Sequence, residues 1–266
     1  MRQVVNMNAK WAFSKEATEP PKTMPNNWYW VHLPHSWNDI DGQDGGNDYF
    51  RGTAFYAKEI EKSEFPKANE YYLELCGANS SATVYANGKE IGHHDGGYST
   101  WRVRLTDVLT EKTLLVIAVD NASNEQVYPQ SADFTFYGGL YRDVNILAVA
   151  ESHFELEYYG GPGIKVTPKI VGSDANVEVE VYLANAREGQ SICYTILDAE
   201  GKKVAKLLLS DENLAEAAHT LFAELRRCDE ENVDFIVASA VEASDSVGFA
   251  IMNRMLKSAG YHVVRV

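Results

Sequence analysis

The sequence of 266 residues predicts a mainly β chain that ends in a short α/β tail. Three observations support this class. Short aromatic and β-branched runs, separated by turn residues, follow one another from residue 1 to about 206. One nearly continuous apolar run, 113–119, is typical of a strand buried inside a β-sandwich. Beyond about residue 207 the hydrophobic period changes from two to 3.6, which indicates helices.

The clearest local signal in the first block is a β-hairpin. Residues 71–75 and 81–86 are predicted to be strands. Asn87-Gly88 follows the second of them, and both residues accept the positive φ angles of a type I′ turn. The hairpin is therefore expected to turn at this dipeptide.

Two further features complete the first block, which we place at residues 1–150. Gly96-Gly97-Tyr98 predicts a backbone bend that needs positive φ. The alternating run 141–147 predicts the strand that closes the block near Ala150.

The second block, residues 151–207, has the pattern of the front half of an immunoglobulin-like sandwich. Val177, Val179 and Val181 alternate with polar residues. About four strands fit before the pattern changes, whereas a complete domain of this type has about seven strands. We therefore predict a partial immunoglobulin-like β-sandwich.

The tail, residues 208–266, alternates helix and strand. A strand is predicted at 233–238 and a second helix at 246–259, with Gly260 at its C-terminal end. The first helix is predicted from apolar residues at helical spacing, which are Leu214, Ala217, Ala218, Leu221, Phe222 and Leu225. The tail resembles a βαβ remnant of a larger domain.

Charge and cysteine content narrow the choice of partners and compartment. The formal net charge of −14 repels phosphate backbones and anionic lipids, so neither nucleic acid nor a membrane is expected as a partner. Three scattered cysteines and a first segment without signal-peptide character favour the cytoplasm.

Several sequence motifs occur in an order that resembles the sugar-binding domain of family 2 glycoside hydrolases, the β-galactosidase and β-glucuronidase group. They are 33–37 (LPHSW), 49–56 (YFRGTAFY), the hairpin at Asn87-Gly88, and 133–139 (DFTFYGG). The resemblance implies a jelly-roll β-sandwich over residues 1–150, followed by the immunoglobulin-like domain. It also implies a galactoside or related glycoside as ligand and an oligomer as a candidate assembly state.

The same resemblance implies three site residues. In the family, a loop Asp just before the Gly-Gly bend helps to hold the terminal sugar, sometimes through a sodium ion. Asp133 has this position, and its carboxylate suits both sugar hydroxyls and a hard cation. Asp48 and Arg51 are further substrate-binding candidates. The alternatives are that Asp133 caps neighbouring backbone groups, and that Asp48 and Arg51 form a local ion pair in a solvated loop.

No catalytic residue is predicted. In the family, two glutamates about 5 Å apart act as acid/base and nucleophile on a (β/α)₈ barrel that follows the immunoglobulin-like domain. Such a barrel takes about 250 residues of alternating strands and helices, and this sequence has no such stretch. We therefore expect a non-catalytic part of a glycoside hydrolase that is truncated and fused to the tail. Whether the chain is an enzyme stays open.

The tail has a resemblance of its own, to the C-terminal end of the threonylcarbamoyl-AMP synthase family. It rests on Leu221-Phe222, Val233-Asp234 and 248–254 (GFAIMNR). Two alternatives to the glycosidase interpretation therefore stay open. One is a stand-alone carbohydrate-binding module, and the other is the remnant of such a synthase.

Overall fold

The computed structural model describes residues 2–38, 49–128, 135–172, 174–197, 201, 203–205 and 246–258, together with four single positions between 219 and 226. The mainly β class is confirmed. The strands are β1 Gln3–Asn6, β2 Trp11–Ser14, β3 Tyr29–Val31, β4 Thr53–Glu61, β5 Glu70–Leu75, β6 Ser81–Ala86, β7 Lys89–Asp95, β8 Trp101–Arg104, β9 Lys112–Asp120, β10 Val144–Val149, β11 His153–Phe154, β12 Ile164–Val171, β13 Asp174–Val181, β14 Leu183–Ala184, β15 Ile196–Leu197 and β16 Lys203–Ala205. The chain divides into two compact units, 1–188 and 189–266. The division into three domains stays a prediction.

Two antiparallel sheets form the sandwich in the first unit. One has the strand order β3-β2-β4-β9-β6-β7, and the other has the order β1-β10-β5-β8. Alternate residues of each strand point inwards, and their side chains fill the space between the sheets. The largest buried members of this core include Trp11, Tyr56, Leu73, Ile117 and Ile146, each less than 2% exposed.

The predicted hairpin is confirmed. Strands β6 and β7 pair in antiparallel register on either side of Asn87 and Gly88. These two residues have φ angles of 49° and 80°, as a type I′ turn requires. The Asn87 side chain also accepts a hydrogen bond from Leu114 N at 2.9 Å, which ties the turn to β9.

Strand β10 corrects one sequence expectation. The run 141–147 was predicted to alternate, but all six residues of β10 are buried. The outer face is covered because Leu147 and Val149 pack against Leu156 and Tyr72. Leu156 belongs to the next segment of the chain, so periodicity within the strand did not reveal this second contact.

The segment after β10 is held against the outer face of the four-stranded sheet by Arg102. Its guanidinium donates to Glu74 Oε2 at 2.7 Å, to Leu156 O at 2.8 Å and to Gly161 O at 2.7 Å. The side chains of Arg102 and Glu74 are only 6% and 12% exposed. A buried charge is stable only when it is paired and hydrogen-bonded in this way.

Glu70 makes a second connection on the same face. Its carboxylate accepts hydrogen bonds from Tyr72 Oη at 2.9 Å, from Arg104 Nε at 3.2 Å and from Asn185 Nδ2 at 2.9 Å. Burial raises the pKa of Glu70, but the hydrogen bonds from Tyr72 and Arg104 outweigh this effect and lower the pKa below its ordinary value of 4.5.

The lowered pKa predicts a pH dependence of stability. The contribution of Glu70 to stability is complete at any pH above the pKa that its carboxyl group has in the unfolded chain. It is lost as the pH falls through the lower pKa that this group has in the folded chain. Glu70→Gln should therefore reduce the difference in free energy of unfolding between about pH 7 and about pH 3, measured in urea. The control is the exposed Glu188→Gln. An unchanged pH dependence in Glu70→Gln would contradict the assignment.

Three two-stranded antiparallel sheets follow the sandwich. They are β11 with β14, β12 with β13, and β15 with β16. Val177, Val179 and Val181 all lie in β13, as predicted. The first two sheets belong to the unit 1–188, and β15 with β16 belongs to the unit 189–266.

The second unit contains the predicted second helix, observed at Ser246–Ser258. Ile251 is buried and Ala250 is exposed. Leu221 lies in a helical position and is 5% exposed. The predicted strand at 233–238 lies outside the described residues. Within the described part of the chain, no helix has the length and apolar character needed to cross a membrane.

Candidate functional site

The candidate functional site lies at one end of the sandwich, where two buried asparagines join four chain segments. We call this end the rim; its described residues are 36–38, 49–52, 121–128 and 135–139. Asn38 and Asn121 are both fully buried. Asn38 donates to Phe50 O at 3.0 Å and accepts from Gly138 N at 2.7 Å.

Asn121 connects the same segments from the other side. Its amide group donates to Phe50 O at 3.1 Å and to Phe136 O at 3.0 Å, and its carbonyl accepts from Gly52 N at 2.9 Å. Loop backbone groups that have no strand partner are thereby satisfied by side chains. The two asparagines consequently fix the positions of all four segments.

Arg51 is the charged group that this network positions. Its Nε donates to Asn121 O at 2.9 Å. Its guanidinium carbon lies 5.2 Å from the ring centre of Phe136 and 5.8 Å from that of Tyr49. Arg51 is exposed, yet its hydrogen bond and its two ring contacts restrict its orientation. A fixed guanidinium with free donors can bind hydroxyl or carboxylate oxygens.

Steric constraints explain why residues 138 and 139 are glycines. A Cβ atom on Gly138 would lie 2.0 Å from the ring of the buried Trp37, and one on Gly139 would lie 2.4 Å from His35 O. Gly139 also has a φ of 130°, which L side chains rarely adopt. Only glycine lets this segment pack directly on the Trp37 ring.

Exposed aromatic rings surround this end of the sandwich. Tyr98, Tyr128 and Tyr137 are 53%, 87% and 42% exposed. Tyr98, Tyr128 and Arg51 contribute to the wall of a cavity of about 10 Å³, which is room for about one water molecule.

Of the three predicted site residues, the structure describes only Arg51. Asp48 and Asp133 lie outside the described residues, as does the rest of the 44–48 loop. The described part of the chain contains no cluster of three or more His, Cys, Asp or Glu side chains arranged to hold a metal ion. The assignment of a sodium ion to Asp133 stays a prediction.

Sequence reasoning missed the two asparagines. Asn121 directly follows the long apolar strand β9, and Asn38 directly follows Trp37 in the LPHSW motif. A polar residue immediately beyond a fully buried strand is the signal that could have identified Asn121, because a buried amide there needs several partners.

Comparisons with known proteins agree with the ordered motifs. Residues 47–154 match the family model described as "Glycosyl hydrolase 2 galactose-binding domain-like". This part of the chain is similar to that domain family. The matched residues include Arg51, Asn121 and the Gly-Gly motif at 138–139. The predicted resemblance is therefore confirmed for the sandwich.

Curated relatives support the same family. A β-glucuronidase of Bacteroides fragilis is 34% identical over 177 residues, which are 65% of this chain and 26% of that protein. A putative β-glucuronidase of Formosa agariphila is 30% identical over 80% of this chain and 26% of its own length. The chain thus spans about a quarter of the length of these relatives.

Solved structures are similar as well. An FMN-binding β-glucuronidase of Facaelibacterium prausnitzii superimposes with a TM-score of 0.68 at 39% identity, covering 77% of this chain and 31% of that chain. A β-glucuronidase of Bacteroides uniformis gives a TM-score of 0.67 at 32% identity, covering 77% of this chain and 25% of that chain.

The C-terminal resemblance is confirmed too, over a longer stretch than the tail motifs indicated. Residues 162–260 match the C-terminal domain of threonylcarbamoyl-AMP synthase. The matched range begins inside the region that was predicted to be immunoglobulin-like, residues 151–207.

Proposed function

We propose that the N-terminal part of this chain forms one wall of the sugar site of a family 2 glycoside hydrolase. Its ligand is a β-glucuronide or β-galactoside, bound through Arg51, Asp48 and Asp133. The observation that supports this most strongly is the exposed guanidinium of Arg51, oriented by Asn121 and two aromatic rings inside the matched domain.

The described residues that follow the two aspartates in sequence contact each other. Asp48 directly precedes Tyr49 in the sequence, and Asp133 precedes Phe136 by three residues. Phe136 N donates to Tyr49 Oη at 3.3 Å, so the described ends of both segments meet beside Arg51. Two carboxylates and one guanidinium near each other would offer acceptors and donors to vicinal sugar hydroxyls. A carboxylate oxygen at Asp133 would also suit a sodium ion.

The names of the relatives support the ligand class. The two relatives above are named β-glucuronidases, and a relative from Thermoanaerobacter pseudethanolicus at 23% identity is named a β-galactosidase. A guanidinium is the usual partner of a carboxylate in a bidentate pair. Arg51 therefore favours the glucuronide over the neutral galactoside.

Removal of the guanidinium should weaken sugar binding. We expect Arg51→Ala to reduce the affinity for methyl β-glucuronide by about tenfold or more, because hydrogen bonds to charged groups contribute about 1.5–3 kcal/mol. Titration calorimetry with methyl β-glucuronide and methyl β-galactoside measures the effect. Arg187→Ala is the matched control, because Arg187 is an exposed arginine paired with Glu151 in the segment after the sandwich. Equal affinities for Arg51→Ala and the unmodified chain would refute the role of Arg51.

We also propose that these 266 residues bind the sugar without hydrolysing it. A retaining glycosidase needs two carboxyl groups about 5 Å apart, and the sequence offers no glutamate pair in the family's catalytic motifs. The purified chain should bind nitrophenyl glycosides without releasing nitrophenol. A stand-alone carbohydrate-binding module would give the same result, and the affinity of the isolated chain distinguishes the two: a module that works alone binds at micromolar to low millimolar concentration.

The match over residues 162–260 supports a second candidate, a role in threonylcarbamoyl-AMP synthesis. This candidate predicts that ATP and threonine bind to the chain. Calorimetric titration with each of them tests it directly, because a glycosidase wall has no reason to bind either molecule.

A further inference from the structure

A second cavity lies on the outer face of the six-stranded sheet and adjoins the rim at residues 122–124. Its volume is about 710 Å³, which falls within the range of small-molecule sites. Its walls include residues of β4, β6, β7 and β9 together with Ala17, Thr18 and Pro20 from the segment after β2. We call it the sheet groove.

The strand register determines which side chains line it, because directly paired residues of an antiparallel sheet point to the same face. One row across the sheet is Thr53, Asp120, Ser81 and Asp95. The next row is Phe55, Ala118, Thr83 and His93. The groove therefore has one polar row beside a row that begins with apolar side chains.

The polar row is organised before any ligand binds. Asp95 Oδ1 accepts hydrogen bonds from Ser81 Oγ at 2.8 Å and from Asn124 Nδ2 at 2.7 Å, and Asp95 Oδ2 lies 3.2 Å from His93 Nε2. The other ring nitrogen of His93 lies 2.8 Å from Thr83 Oγ1. Asp120 accepts from Thr53 Oγ1 at 2.5 Å and from Ala122 N at 2.6 Å. Ser81, His93 and Asp120 line the groove and offer hydroxyl, imidazole and carboxylate contacts, whereas Asp95 is not a lining residue and serves to hold Ser81, His93 and Asn124 in place.

The apolar row supplies the opposite character. Phe55 and Ala118 belong to an apolar cluster on this face and are only 4% and 9% exposed, so they form the floor of the groove. The half-buried Tyr85 packs against the same cluster and offers a more accessible aromatic ring. A pyranose ring has polar hydroxyl edges and apolar faces made of C–H groups, so it matches a surface with a polar row beside an aromatic and apolar one.

Charge decides which saccharides fit. Burial raises the pKa of Asp95, but hydrogen bonds from Ser81, His93 and Asn124 outweigh this effect and lower it, so Asp95 is ionised at neutral pH. Together with Asp120 it places negative charge along the polar row. An anionic sugar would be repelled there, whereas sugar hydroxyl groups can donate to the Asp120 carboxylate, which lines the groove.

We propose that the sheet groove is a second carbohydrate site, which binds a neutral di- or trisaccharide. It goes beyond the sugar wall proposed above and differs from it in charge, because Arg51 favours an anionic sugar and the sheet groove excludes one. The two sites adjoin at Ser123 and Asn124, which line both cavities.

Amide chemical shifts of the labelled full chain test the proposal, with lactose and maltotriose as neutral probes and glucuronic acid as the charged comparator. The neutral sugars should shift the amide resonances of Thr83, Tyr85 and His93, which line only the sheet groove, with dissociation constants of about a millimolar or tighter, and glucuronic acid should not. Thr83→Trp, which fills the groove, should weaken this binding by about tenfold or more.

His93→Ala provides a second variant in case Thr83→Trp does not fold, because the His93 side chain is 48% exposed and its removal disturbs little packing. It should weaken binding several-fold. The control is Glu90→Gln, since Glu90 is exposed on the same strand and does not line the groove. Binding of methyl β-glucuronide at Arg51 should persist in Thr83→Trp and His93→Ala, which separates failure of the groove from failure of the sugar wall. Absence of neutral-sugar shifts at these residues, equal shifts with glucuronic acid, or full affinity in Thr83→Trp would each overturn the proposal.

Discussion

Asn121→Ala is expected to lower the free energy of unfolding by about 3 kcal/mol or more. The Asn121 amide is fully buried and bonds to Phe50 O, Phe136 O and Gly52 N. Alanine removes the hydrogen bonds to Phe136 O and Gly52 N, whereas Phe50 O keeps the one from Asn38, and each buried unsatisfied group costs about 1–3 kcal/mol. Urea denaturation measures the change.

The matched control is Asn6→Ala, because Asn6 is exposed on β1 and its side-chain donation goes to Asn145 at 3.3 Å. Its loss should change stability by only a few tenths of a kcal/mol. If Asn121→Ala were no more destabilising than Asn6→Ala, the view that Asn121 holds the four rim segments together would be wrong. Since Asn121 O also accepts from Arg51 Nε, displacement of this segment should weaken sugar binding as well.

Arg102→Met should destabilise the chain by about 3–5 kcal/mol, the usual effect of removing one partner of a buried ion pair. The substitution leaves Glu74, only 12% exposed, without its cation, and it also removes donors from Leu156 O and Gly161 O. Thermal and urea unfolding of the variant measure the loss. The segment after β10 should detach first, which protection of its amides against hydrogen exchange would reveal.

Lys112→Ala is the comparison for Arg102, because Lys112 pairs with Glu59 at 2.7 Å in an exposed position. Exposed pairs of this kind contribute little, so no measurable loss is expected. The double variant Arg102→Met with Glu74→Leu should recover part of the stability, since it removes the uncompensated charge. Equal stability of Arg102→Met and Lys112→Ala would contradict the structural role of Arg102.

The hairpin and the buried strand β9 could be predicted because their signals are local. Asn87-Gly88 determines its turn through its own φ preferences, and the apolar run needs no partner to be recognised. Two-sided burial of β10 was not predictable from the strand itself, because the residue that covers its outer face, Leu156, follows β10 in the sequence.

The site was predictable only in part, for a similar reason. The DFTFYGG motif led to the correct segment, and the packing of Gly138 on Trp37 now explains its glycines. Asn38 and Asn121 escaped notice because their partners are mostly backbone groups, and the two asparagines are separated by 83 positions in the sequence. A local sequence pattern does not reveal hydrogen bonds to main-chain groups that are far away in the sequence.

The central claim is that the end of the sandwich around Arg51 binds a sugar that this chain does not cleave. Titration of the isotope-labelled chain with nitrophenyl β-glucuronide tests it most directly, with amide shifts and nitrophenol release followed in the same sample. We predict saturable shifts centred on Arg51, Asn121 and Phe136, with no release of nitrophenol. Shifts that avoid these three residues, or turnover of the glycoside by the purified chain, would contradict the account.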